Sequence, residues 1–278
     1  MLAFLLGLVA ALGWGTHDLL VRRVAPGARV LPQIAVVMTL AALVVLPFGV
    51  IWGDASRVTA GALGLAGGSG VAYFAASLCL YHAFARAPAR VVAPVIGAYP
   101  LPALVFAAVA GTTVSVLDWL AAGLIVAGVG AVAVFGHEGG AARRGALPLA
   151  LLACLGMATA FALGQAATGA LDPFLAPTLA RCATAATGLA LLMLQPAGLR
   201  AALRQLPILA GMGALDGLAL TAVLAAGALP MAVYASVVSS LFGMVTVLLS
   251  WVFLAEKVTL KQGLGIGLVF GGLALLAG

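Results

Sequence analysis

Asp216 places a carboxylate near the middle of a helix-length apolar run, Pro207–Ala228. A charge at bilayer depth costs roughly 2.5–3.5 kcal/mol on insertion scales, so a chain keeps one where it faces a polar cavity and meets a partner or a ligand. Arg181 sits inside a second apolar run, 174–194, and His17 and Asp18 stand side by side near the end of a third. A cavity carboxylate can take an amine or a proton. A guanidinium offers a flat fork that suits a carboxylate. Each residue also has a plainer reading. Asp216 can be a hydrogen-bond node paired with Arg181, and Arg181 can snorkel, because it lies about two turns from the end of its run. Asp18 has Arg22 one turn on, the favourable order for an i,i+4 pair. Adjacent helical residues point about 100° apart, so one of His17 and Asp18 is expected to face the cavity centre. Burial raises a carboxylate's pKa and a cation partner lowers it, so proton coupling at Asp216 is open.

Further candidates flank these. Gln165 is a polar residue inside an apolar run and a candidate hydrogen-bond donor to a ligand. Tyr81 and His82 fit either the mouth of a cavity or an amphipathic interface. Trp14, Tyr73, Tyr99, Phe161 and Tyr234 are candidates for aromatic walls, or for ordinary packing.

The elements that position these groups follow from composition. Hydrophobic residues make up 65% of the chain and charged ones 7%, where a soluble domain carries about 25% charged residues. Such a chain belongs in a bilayer. The 36 glycines suit close helix packing there. The net charge of +6 rests on short loops with no long basic run, which excludes a nucleic-acid surface and reads as a topology signal. Cys79, Cys154 and Cys182 lie in apolar segments without CxxC or histidine spacing, so neither a disulfide framework nor a metal site is expected. Leu2–Leu12 lacks the basic n-region of a signal peptide and reads as the start of a first span.

Apolar runs between polar breaks predict ten spans, at about 2–21, 31–51, 60–84, 90–111, 117–136, 147–169, 174–195, 207–228, 231–254 and 260–277. Tight breaks at Pro88 and Pro230 make hairpins of spans 3/4 and 8/9. The chain repeats itself. Leu12-Gly13 with Thr16 returns as Leu155-Gly156 with Thr159, an offset of 143, and Gly123-Leu124 with Gly128 returns as Gly267-Leu268 with Gly272, an offset of 144. The reading is an all-α integral membrane protein of two five-helix repeats, 1–138 and 145–278, joined by a linker at 139–144. An odd number of spans per repeat turns the second half over, giving an inverted repeat. The Gly263–Gly267–Gly271 ridge is expected to contact another helix, within the fold or between protomers. The odd-numbered loops hold 11 of the 12 loop lysines and arginines, with Arg57 the exception. That bias puts them in the cytoplasm and both termini outside.

The ends of spans 4 and 9 resemble the drug/metabolite transporter superfamily, specifically its EamA-like ten-helix members. The second half reads Ala255-Glu256-Lys257-Val258-Thr259 and continues through Gly263, Gly265, Gly267 and Gly271. The first half ends Gly111-Thr112-Thr113, with threonine where the family has glutamate. Trp14-Gly15 and Tyr99-Pro100 are similar to signatures in the family's spans 1 and 4, and Arg181 to an arginine early in the second helix of a repeat. The resemblance implies a secondary transporter, frequently an exporter of amino acids or other metabolites, in the plasma (inner) membrane.

The residues and the resemblance together give a non-enzymatic carrier working by alternating access. The expected partners are the lipid bilayer and a small-molecule substrate, with no cofactor and with the chain as monomer or homodimer. The expected solute is an amino acid or similar zwitterion, amine toward Asp216 and carboxylate toward Arg181. A lipophilic-cation exporter is the alternative, and it needs the carboxylates and aromatics but not Arg181. An intramembrane enzyme would show a dense polar constellation, whereas these carboxylates are dispersed. A scaffold would leave the repeat without a purpose.

Overall fold

Lipid offers no hydrogen bonds, so an apolar chain must satisfy each backbone group internally, and helices do this within one segment. The computed structural model describes residues 1–26, 28–109, 111, 113–135, 145–229 and 232–277, with only the backbone of 107, 133, 227, 232–234, 236 and 277. The linker 139–144, the Pro230 break and the side chain of Tyr234 lie outside the described residues. The described chain is helical throughout, without strands. The first half holds α1 (Leu2–Val24), α2 (Val30–Trp52), α3 (Ala60–Arg86), α4 (Ala89–Gly97), α5 (Pro100–Val109) and α6 (Val116–Phe135). The second holds α7 (Ala146–Ala170), α8 (Leu175–Leu194), a short α9 (Leu199–Leu203), α10 (Leu206–Ala225), α11 (Ala232–Ser239), α12 (Phe242–Leu254) and α13 (Leu260–Ala277). Among the described residues, eight segments are long and apolar enough to cross a bilayer, and α6 and α13 supply two shorter apolar helices.

Spans 4 and 9 differ from the expected continuous helices. Each is broken in the middle, into α4–α5 and α11–α12. The breaks are single tightened turns, with Tyr99 N–H donating to the Ile96 carbonyl at 3.1 Å and Leu241 N–H to that of Val238 at 3.1 Å. Pro100, which lacks an N–H and crowds the turn before it, accounts for the first. At the second, the Ser240 hydroxyl binds the Val237 carbonyl at 2.5 Å and competes with the helix ladder. The Tyr99 and Ser239 hydroxyls meet at 2.5 Å, so the two breaks touch.

The halves pack with a two-fold pattern. α3 lies on α7 as α1 lies on α10, and α2 lies on α10 as α3 lies on α8. α2 with α8 and α6 with α13 each pair with their own counterpart, and span 4 meets span 9 through α4 and α12. Two clusters result, one of α1, α10, α11 and α12, the other of α3, α4, α5 and α7. Loops on one face tie neighbours together. Asp172 accepts from Phe174 and Leu175 N–H at 2.7 Å each, starting α8, and from Asp54 N–H at 2.9 Å. The Ser56 hydroxyl, and then its N–H, hold the Asp54 carboxyl below its usual range.

Small residues set the closest approaches. A Cβ on Gly70 of α3 would meet the Ala180 carbonyl of α8 at 2.3 Å and Thr184 N at 2.8 Å. Both are backbone atoms and cannot yield cheaply, so Gly70→Ala should part α3 from α8 at a cost of about 1–3 kcal/mol or more. Thermal unfolding in detergent checks this, with Gly267→Ala as control because nothing lies within 4 Å of its Cβ position. Equal melting of the two variants would contradict this packing. The Gly263–Gly267–Gly271 ridge is therefore not the contact face inside the fold. Gly267 and Gly271 meet nothing, and the close contacts between α6 and α13 run through Gly128, Gly265 and Gly272.

Candidate functional site

Five spans bring side chains to one place between the clusters, and three of them bring polar groups. α1 supplies Trp14, His17 and Asp18, while α3 supplies Tyr73, Ser77, Leu80 and Tyr81. α7 gives Met157 and Phe161, α10 gives Asp216, and Phe242 enters at the start of α12. They enclose a cavity of about 20 Å³, room for about one water. A solute the size of an amino acid requires the clusters to part.

Asp216 is 1% exposed and fully engaged. Its Oδ1 accepts from the Tyr73 hydroxyl at 2.5 Å and from Trp14 Nε1 at 3.2 Å. Its Oδ2 lies 2.8 Å from Arg181 Nη1, an ion pair whose angle falls short of a hydrogen bond. Arg181 Nη2 donates to the Asp216 carbonyl at 3.1 Å, Nη1 reaches Met38 Sδ at 3.3 Å, and the guanidinium lies 4.7 Å from the Tyr73 ring centre. Two buried charges so held offset much of each other's desolvation.

Asp18 is held differently. Its Oδ1 meets His17 Nδ1 at 3.2 Å, and His17 Nε2 meets the Tyr81 hydroxyl at 3.1 Å. Its Oδ2 is buried in the cavity wall with no hydrogen-bond partner. An unsatisfied buried carboxylate oxygen is costly. The site thus holds two carboxyl groups, Asp18 and Asp216, to one guanidinium, Arg181, which pairs with Asp216. Aromatic rings complete it: Phe161 stacks on Trp14 at 5.3 Å and meets Tyr99 edge-on at 4.8 Å.

Of the residues singled out in the sequence, Trp14, His17, Asp18, Tyr73, Tyr81, Phe161 and Asp216 line the cavity. Arg181, Gln165, His82 and Tyr99 stand outside the lining. Arg181 does not snorkel, being 1% exposed and turned inward onto Asp216. Both His17 and Asp18 reach the cavity, against the expectation for neighbours, because the imidazole folds back onto its neighbour's carboxylate. Asp18 does not pair with Arg22, which binds Glu256 at 2.9 Å instead. Ser77, Leu80, Met157 and Phe242 were not anticipated. Ser77 had a signal, since 73, 77, 80 and 81 form one helical stripe. Phe242 had none, because the break before it places it.

The sequence matches the EamA-like transporter family over residues 1–134 and 144–278. No curated protein matches it. Among solved structures, a crystal structure titled only as that of a protein superposes with a TM-score of 0.70 at 17% identity, over 99% of this chain and 96% of that one. That likeness supports the ten-helix fold. The family match spans both halves, so the chain belongs to the EamA-like transporter family and is a multi-pass membrane transporter of the drug/metabolite type.

Proposed function

We propose that the chain is a secondary carrier for a small, amine-bearing metabolite with an apolar body. The observation that carries this is the unpartnered Asp18 Oδ2 in the wall of a cavity lined with aromatic rings. An ammonium satisfies that oxygen with a charge-assisted bond, and the faces of Trp14, Tyr81 and Phe161 attract a cation further. Asp216, already bound by Arg181, Tyr73 and Trp14, serves in this reading as the fixed polar end of the cavity. The amine thus goes to Asp18 and not to Asp216. No resident cofactor is part of the reading, and protons exchange at the same carboxylates if transport is proton-coupled.

The two halves act as an inverted repeat that rocks around this site. The carrier is placed in the plasma (inner) membrane with its arginine-rich loops in the cytoplasm and both termini outside. Export, down the solute gradient or against protons, is the direction favoured by the family.

A zwitterion is the second reading, and one observation favours it. Arg181 Nε is buried without a hydrogen-bond partner, so a shift of Tyr73 would give an incoming carboxylate a donor. Matched pairs separate the readings. Liposomes carrying the purified protein are offered amino acids and the amines left by their decarboxylation, against empty liposomes. Saturable uptake of amines over their parent acids is expected. Preference for the acids would move the assignment to amino acids, and no uptake of either would overturn amine transport.

A further inference from the structure

The two faces of the molecule are closed by different chemistry. On the arginine-rich face, Arg22 Nε of α1 binds Glu256 Oε1 at 2.9 Å, just past the end of α12. Both residues belong to the cluster of α1, α10, α11 and α12. The pair then reaches across to the other cluster. Arg22 Nη1 donates to the Phe84 carbonyl near the end of α3 at 3.3 Å. Glu256 Oε2 accepts from Ala89 N–H, the first residue of α4, at 2.8 Å. The carboxylate meets a helix N-terminus, where the dipole favours it. The Glu256 side chain is 10% exposed and that of Arg22 23%, so water screens the pair only in part.

The opposite face is tied otherwise. α4 packs on α12 near the Arg22 face, whereas beyond the breaks α5 packs on α7 and α11 on α1, each within its own cluster, and the clusters meet there through apolar packing of α7 on the end of α10 and the turn 226–228. Among the described residues, polar links there include Asp54 to Asp172, and Arg57 to the Leu171 carbonyl at 2.7 Å. They hold the loop before α3 to the loop after α7, two members of one cluster.

Repeat symmetry explains the difference. The offset of 143 puts Gln165 where Arg22 stands and Thr113 where Glu256 stands. Neither carries a charge, so the mate of the ion pair cannot form. We propose that Arg22 and Glu256 are a latch that closes the arginine-rich face, and that its missing mate leaves the resting carrier biased to open on the opposite face. A solute arriving at the open face then meets a ready site, and one arriving at the latched face must first overcome the latch, which weakens its apparent affinity by the fraction of time the latch is open. The proposal rests on the alternating access of the proposed carrier function.

Its test needs no substrate, so it can fail or succeed separately from the substrate reading. Leu80 lines the cavity one turn below Phe84. Leu80→Cys is placed in a chain bearing Cys79→Ala, Cys154→Ala and Cys182→Ala, and a membrane-impermeant thiol reagent is applied to each face of oriented vesicles. Labelling should be faster from the face opposite Arg22. Glu256→Gln should raise labelling from the Arg22 face about 10-fold, as a gate relieved of a strong constraint predicts. Arg22→Gln, which keeps the Glu256 bond to Ala89, should give a smaller rise and serves if Glu256→Gln does not assemble. Gln165→Arg with Thr113→Glu should slow labelling from the opposite face. Unchanged rates in the folded latch variants, or faster labelling of the parent from the Arg22 face, would overturn the proposal.

Discussion

Arg181→Gln is expected to lower stability by roughly 3–5 kcal/mol, the range found when one partner of a buried ion pair is removed. It would leave Asp216 at 1% exposure with no cation, since the guanidinium both faces its Oδ2 at 2.8 Å and binds its backbone carbonyl at 3.1 Å. The cation over the Tyr73 ring would go with it. Asp216→Asn alone should also destabilise, by stranding Arg181. The double variant should recover most of the loss, because two amides of similar size carry no unpaired charge. Melting temperatures of the four proteins in one detergent read the cycle. Additive losses would mean that the pair is not the coupled unit the geometry describes.

Asp18→Asn should have the opposite character. Its Oδ2 is a buried carboxyl oxygen without a hydrogen-bond partner, so replacing the carboxyl by an amide should leave melting unchanged or raise it. Transport of the amine should fall by about 10- to 100-fold, the equivalent of losing one hydrogen bond to a charged group. A variant that is more stable and less active marks a residue kept for function. A comparable loss of stability and transport would instead make Asp18 structural. His17→Gln should be milder, because it removes the group that orients Asp18 through the 3.2 Å contact and leaves the carboxylate in place.

Much of this architecture is legible in the sequence because bilayer physics leaves few choices. Ten apolar runs at helix length, the Leu12-Gly13 and Leu155-Gly156 echo, and the breaks between runs fix spans and repeat. Intramembrane charge is costly wherever it sits, so Asp216, Arg181 and Asp18 stood out before any distance was known. The partners did not stand out. Nothing in one chain shows that Arg22 reaches Glu256, 234 residues away, and not Asp18 four residues back. Helix-local rules rank the nearer pair first, and the packing of α1 on α12 decides otherwise. The breaks at Tyr99 and Ser240 were masked by continuous hydropathy, although Pro100 and the paired serines mark them in retrospect. Among the described residues, the glycine ridge of α13 meets no helix within the fold. A small-residue stripe does not say which neighbour it meets, and Gly265 and Gly272 face α6 instead.

The central claim is that the cavity takes an ammonium at Asp18. Equilibrium binding of a labelled amine from the best-transported matched pair tests it most directly, using detergent-purified wild type and Asp18→Asn side by side. The account predicts saturable binding by the wild type, weakened about 10-fold or more in the folded variant. Equal affinity of the two proteins would contradict it and return the amine to Asp216.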